Sequence, residues 1–96
     1  MDFQNKIVVV TGGASGIGLV SCHEFAQRHA TVVVVDLDEK AGRRAAKELR
    51  GAGGQVEVFS FEVSKSTQVK AGVGRIVKKL GGIDILTRAS MPRMRW

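Results

Sequence analysis

Ninety-six residues with a formal net charge of +6 make one small domain with enough apolar content for a core and little margin to waste. The charge does not mark a polyanion binder: every acid and all but three of the basic residues lie in residues 1–86, intermixed at helical spacing, and Arg88, Arg93 and Arg95 supply the excess near the end. A single cysteine excludes an internal disulfide, and a start without a basic leader or a membrane-length apolar run leads us to expect a cytoplasmic protein with neither signal peptide nor membrane span.

In chain order, Ile7 to Val10 is a short β-branched apolar run, as a parallel strand buried on both faces requires. It breaks into Thr11-Gly12-Gly13-Ala14-Ser15-Gly16-Ile17-Gly18 and resumes at helical spacing to about His29. A strand, a tight turn and a helix start together offer unpaired N–H groups at a positive helix end, which suits a pyrophosphate. Gly12 allows the turn, Gly16 a close approach of phosphate, and Gly18 tight packing of helix on strand. Ser15 adds a hydroxyl for a phosphate oxygen. The spacing is Gly-x-x-x-Gly-x-Gly, and Leu19 stands where an ATP-binding loop needs lysine, so an ATPase is excluded. Ile17, Val20, Phe25 and Ala26 are available to cover the sheet. Cys22, beside Phe25 and Ala26, is expected to pack as a core residue, and His23 and His29 fall on different helix faces, which argues against a metal pair.

Thr31 to Val35 forms a second buried strand ending in Asp36, eighteen residues past Gly18. That is where a dinucleotide fold places the acid that accepts from the adenosine ribose, and a carboxylate there favours NAD over NADP by repelling a 2′-phosphate. Asp38 suits the start of a helix over Glu39 to Arg50, with Ala41, Ala45 and Leu49 inward and Lys40, Arg44 and Glu48 outward. Gln55 to Phe61 alternates as an edge strand, Val56 and Val58 opposing Phe59 and Phe61. Ser64 or Ser66 is expected to cap a third helix with the stripe Val69, Val73, Ile76, Val77 and Leu80. Gly72 and Gly74 weaken that helix, Gly81-Gly82 ends it, and Ile83 to Leu86 starts a fourth strand.

Thr11 to Gly18 is similar, at every fixed position, to the Thr-Gly-x-x-x-Gly-x-Gly cofactor motif of the short-chain dehydrogenase/reductase family, and Gly81 to Leu86 again resembles it. The resemblance covers residues 1–86, the nucleotide-binding half of a family catalytic domain more than twice as long. It implies an α/β fold, a partial Rossmann domain: a doubly wound parallel sheet of strand order 3-2-1-4 with helices on both faces. It also implies an NAD site made by Thr11, Gly12, Ser15, Gly16, Ile17, Gly18, Asp36, Leu37, Glu62 and Val63. Glu62-Val63 replaces the family's usual Asp and small apolar residue beside the adenine ring.

Family members pass hydride between nicotinamide and an alcohol or carbonyl carbon with a Tyr-x-x-x-Lys pair and a serine. Here there is no tyrosine, and Lys78 and Lys79 stand in the wrong segment, so no catalytic residue is assigned. After Leu86 the family's Asn-Asn-Ala-Gly is replaced by a basic stretch, 87–96, which we read as a non-family tail arising from a frameshift, a splice variant or a gene-model error. The expected function is that of an NAD-binding fragment of such an oxidoreductase, unable to catalyse alone. The alternative is a non-catalytic interaction protein, associating with itself or a full-length homologue through an exposed fourth strand, or using its Arg-rich tail. Nucleic acid and membrane are not expected partners. A methyltransferase-like fold fits less well, because its turn needs closer glycines.

Overall fold

A computed structural model describes residues 2–14 and 16–88 of the chain. Four parallel strands, β1 (Ile7–Thr11), β2 (Thr31–Val35), β3 (Gln55–Phe59) and β4 (Ile85–Arg88), alternate with α1 (Gly16–Gln27), α2 (Glu39–Gly51) and α3 (Ser66–Leu80). The strand order is β3-β2-β1-β4, as the family resemblance implies. Both strands of the valine-rich centre are buried on each face, which is why they read as continuous apolar runs rather than alternating ones.

The two faces carry separate cores. Val8, Val10, Val32 and Val34 meet Cys22 of α1 and Ala45, Ala46 and Leu49 of α2. Val9, Val33 and Val35 meet Ile76 of α3 and Phe61. Asp38 caps α2 as expected, accepting the Ala41 N–H at 3.1 Å. Gly81 closes α3 in the left-handed conformation, its N–H on the Val77 carbonyl.

Several local expectations are corrected. Ile17 and Val20 do not cover the sheet and are 75% and 62% exposed. Gly18 and Cys22 set the face that α1 turns inward, and positions 17 and 20 lie about 100° and 160° around the helix from Gly18. Phe25 and Ala26 pack inward as expected, and Leu19 joins them. The helix ends at Gln27, and His29 leaves it with φ 71°.

Strand β3 stops at Phe59 because Phe59 pairs with Val35, the last residue of β2, so Ser60 and Phe61 have no ladder partner there. Neither serine caps α3: the residue before it is Lys65, without a capping side chain, and the Ser64 N–H goes to Glu62 Oε1. Val77 is 42% exposed, at the margin of the apolar stripe. Strand β4 begins at Ile85 rather than Ile83, because Asp84 Oδ2 takes the Ile7 N–H at 2.8 Å and closes the start of the ladder with a side chain. It continues past Leu86 through Thr87 and Arg88, which pair with Val10 and Thr11. Among the described residues no helix is long and apolar enough to cross a membrane, and no group of three metal-ligating side chains is found.

Candidate functional site

The parallel register brings the ends of three strands level, since Thr11 pairs with Val35 and Val35 with Phe59. The residues that follow, Gly12, Asp36 and Ser60, therefore emerge side by side at the carboxyl edge, where open α/β sheets bind ligands.

The glycine-rich turn is shaped by contacts that exclude side chains. Gly12 has φ 71° and Gly16 φ 56°, both in the left-handed region. A Cβ on Gly18 would drive into the Gly12 carbonyl, and one on Gly13 would come within 3.0 Å of Cys22 Sγ and the Val10 carbonyl. The space around Gly16 is open: a Cβ there would meet nothing within 4 Å. A group approaching Gly16 at the start of α1 thus finds bare backbone at that position.

The electrostatics agree. The first turn of α1 contains no acidic residue, whereas the start of α2 is filled by Asp38 and Glu39. The starts of α1 and α3 both lack an acid, and of the two only α1 is entered through a glycine-rich turn, so its positive end is the better placed for an outside anion.

Asp36 joins the second strand to this turn. Its Oδ2 accepts the Ala14 N–H at 3.3 Å, and its Oδ1 accepts the Asp38 N–H at 3.1 Å. Each oxygen keeps further lone-pair capacity for a hydroxyl donor. Exposed Leu37 follows, its carbonyl held by Ser60 Oγ at 3.1 Å. Thr11 is buried, and its hydroxyl donates to the Thr87 carbonyl at 3.1 Å, tying the turn to β4. Glu62 and Val63 lie beyond β3: the Glu62 N–H donates to Gln68 Oε1 at 2.9 Å, and Val63 lines a small apolar recess with Thr11, Phe61, Val69, Val73 and Leu86. That recess, about 30 Å³, holds little more than one or two waters. Ser15 lies outside the described residues, as do residues 89–96 of the basic tail.

A larger polar recess of about 320 Å³ opens at the opposite end of the sheet, among Asp2, His29, Thr31 and Gln55. Its ionisable side chains already face each other, His29 Nδ1 lying 3.3 Å from Asp2 Oδ1. The Gln4 N–H and, less strongly, His29 hold the Asp2 carboxyl below its usual range. With no glycine-rich turn and no helix start there, it is the weaker candidate despite its size. Cys22 is buried and its thiol is pushed up to about 12 by loss of hydration, so it is a packing residue, as its sequence context suggested.

Sequence reasoning missed the residues that act through backbone. Ala14 occupies a variable motif position, yet its N–H is what Asp36 holds. Gln68 and Thr87 bear on the site through one hydrogen bond each, and nothing in their spacing marks them.

Comparison with known proteins agrees with this arrangement. The chain is 36% identical over 86 residues to the 3-oxoacyl-[acyl-carrier-protein] reductase FabG of Thermotoga maritima, covering 90% of this chain and 35% of that protein. An oxidoreductase from Haemophilus influenza, solved with bound NAD, superposes with a TM-score of 0.82 at 25% identity over 88% of this chain and 30% of its own. A metagenomic short-chain oxidoreductase in complex with NADP superposes with a TM-score of 0.83 at 27% identity, over 88% and 38%. The chain therefore spans about a third of the length of the relatives it matches. Residues 6–91, which take in the whole sheet and five residues beyond Leu86, match the family model described as short chain dehydrogenase, and the chain belongs to that family.

Proposed function

We propose that this chain is the NAD-binding part of a short-chain dehydrogenase-type oxidoreductase. The observation that carries the reading is the Asp36 carboxylate hydrogen-bonded to the glycine-rich turn, which sets a ribose acceptor and an anion-accepting helix start in one crevice. The pyrophosphate lies at the start of α1 over Gly16, the adenosine ribose on Asp36, and the adenine beside Leu37, Glu62 and Val63. Thr11 and Gly18 act by holding the turn to its neighbours. A bound nicotinamide would supply the hydride. These residues bind and orient the dinucleotide. Asp36 disfavours a 2′-phosphate, so NAD is preferred to NADP.

The 96-residue chain has no tyrosine and, on this reading, transfers no hydride by itself. The proposal keeps the cytoplasmic location and a basic C-terminal tail, with the boundary moved past Leu86 because β4 pairs on through Arg88. Association with a second copy or a longer homologue is a secondary reading, favoured by the exposure of Leu86 on β4.

Titration of the purified chain with NADH and NADPH, followed by nicotinamide fluorescence, tests the main reading. NADH should bind saturably and at least about tenfold tighter than NADPH, a difference of about 1.4 kcal/mol. Asp36→Asn, which keeps one acceptor oxygen and removes the charge, should narrow that gap. It is a cleaner variant than Asp36→Ala, because Asp36 also staples the turn through Ala14. A chain that circular dichroism shows to be folded and that binds neither nucleotide would defeat the proposal.

A further inference from the structure

We infer that Gly72, in the middle of α3, is a positioning residue for the adenine end of the site. The inference rests on the nucleotide-binding reading above and extends it to a residue that touches no part of the dinucleotide.

Gly72 is buried against the ring of Phe61. A Cβ placed there would lie 2.6 Å from Phe61 Cζ and closer still to Cδ2 and Cε2, so any side chain must move the ring. Phe61 is 8% exposed and packed with Val9, Val33, Val35 and Ile76, and beside it lies the small recess it shares with Val63, so a displaced ring moves into the adenine end of the site. Phe61 directly precedes Glu62 and Val63, so displacement of the ring passes into the backbone that carries the adenine contact. One turn before Gly72 on the same helix, Gln68 Oε1 holds the Glu62 N–H, and the Lys65 N–H reaches the Glu62 carbonyl at 3.4 Å. Helix α3 therefore grips residues 61–62 at two levels, and Gly72 is the level that requires the absence of a side chain.

Gly74 supplies an internal comparison. It lies on the same helix, and a Cβ there would meet nothing within 4 Å. Both glycines lower helix propensity, and Gly72 alone has a close approach to account for it.

The test uses Gly72→Ala, Gly74→Ala, and Gly72→Ala combined with Phe61→Leu, titrated with AMP by calorimetry and with NADH by fluorescence. Gly74→Ala should bind as the unaltered chain does and unfold at higher temperature. Gly72→Ala should bind AMP and NADH at least about fivefold more weakly, and the smaller leucine in the double variant should return AMP affinity to within about twofold. A structural role alone would lower the unfolding temperature and leave the AMP affinity of the fully folded variant, measured well below that temperature, unchanged. Unchanged AMP affinity in Gly72→Ala, or a loss that the folded double variant does not restore, would overturn the inference. If Gly72→Ala does not fold, the double variant decides: AMP binding supports the assignment, and a folded chain that does not bind, or one that stays unfolded, refutes it. Failure of the unaltered chain to bind AMP or NADH would instead remove the nucleotide reading, and this inference with it.

Discussion

The two faces of the sheet are built from the same kind of strand and are covered differently. Val8, Val10, Val32 and Val34 lie under two helices, α1 and α2, while Val9, Val33 and Val35 lie under α3 and the turn at Phe61. The contrast is sharpest within β4. Ile85, in register with Val8, packs into the two-helix core, and Leu86, in register with Val9, is 53% exposed. Adjacent residues of one apolar strand thus meet opposite fates. Burial in a parallel sheet is decided by what covers each face, and the strand's own sequence does not encode it.

The largest expected effect lies in the two-helix core. Leu49 is fully buried between α2 and the sheet, and Leu49→Ala should lower stability by about 3 kcal/mol in urea unfolding. A loss below about 1 kcal/mol would mean that this face collapses around the cavity and is the looser of the two.

Asp38→Ala should come next. It frees the Ala41 N–H at the start of α2 and should cost about 1 kcal/mol, with nucleotide affinity changed little because Asp36 and the turn remain. A much larger loss of affinity would tie the cap to the site through the Asp38 N–H that Asp36 accepts.

Leu86→Ser tests the open part of the other face. With half its surface already in water, the leucine should contribute less than about 1 kcal/mol, and its replacement should leave unfolding nearly unchanged. A loss rivalling that of Leu49→Ala would show that Leu86 is covered in solution.

The smallest effect at neutral pH is that of Cys22 ionisation. Burial raises its thiol from the ordinary value of 9.0 to about 12, so folded and unfolded chains are both protonated below pH 9 and the group makes no pH-dependent contribution there. Above pH 9 the unfolded thiol ionises first, and stability contributed by the protonated thiol is lost as pH rises through about 12. Cys22→Ser should weaken that alkaline dependence, and a thiol reagent at neutral pH should label the chain only as fast as it opens. Rapid labelling of folded protein would show that α1 is loosely held.

Much of the fold was legible in the sequence because it rests on local chemistry. The valine runs announce buried parallel strands, the inward alanines and Leu49 give α2 its face, and Gly81 marks the end of α3. Thr11 to Gly18 and Asp36 announced the crevice, since a tight turn and a strand-end carboxylate each need particular residue types at fixed spacing. Hydrophobicity misled where two elements must fit together: Ile17 and Val20 look like core residues and face outward, because Gly18 meets Gly12 and fixes the rotation of α1. Gly72 looked like a weakness in its helix until the ring of Phe61 was found against it. The sequence by itself determined which segments are strands, which are helices and where backbone would be bare. The rotation of each helix, the coverage of each face, and the pairing of Ala14 with Asp36 and of Gln68 with Glu62 were decided by tertiary structure alone, because they depend on how separate elements come to lie against one another, whether 22 residues apart or six.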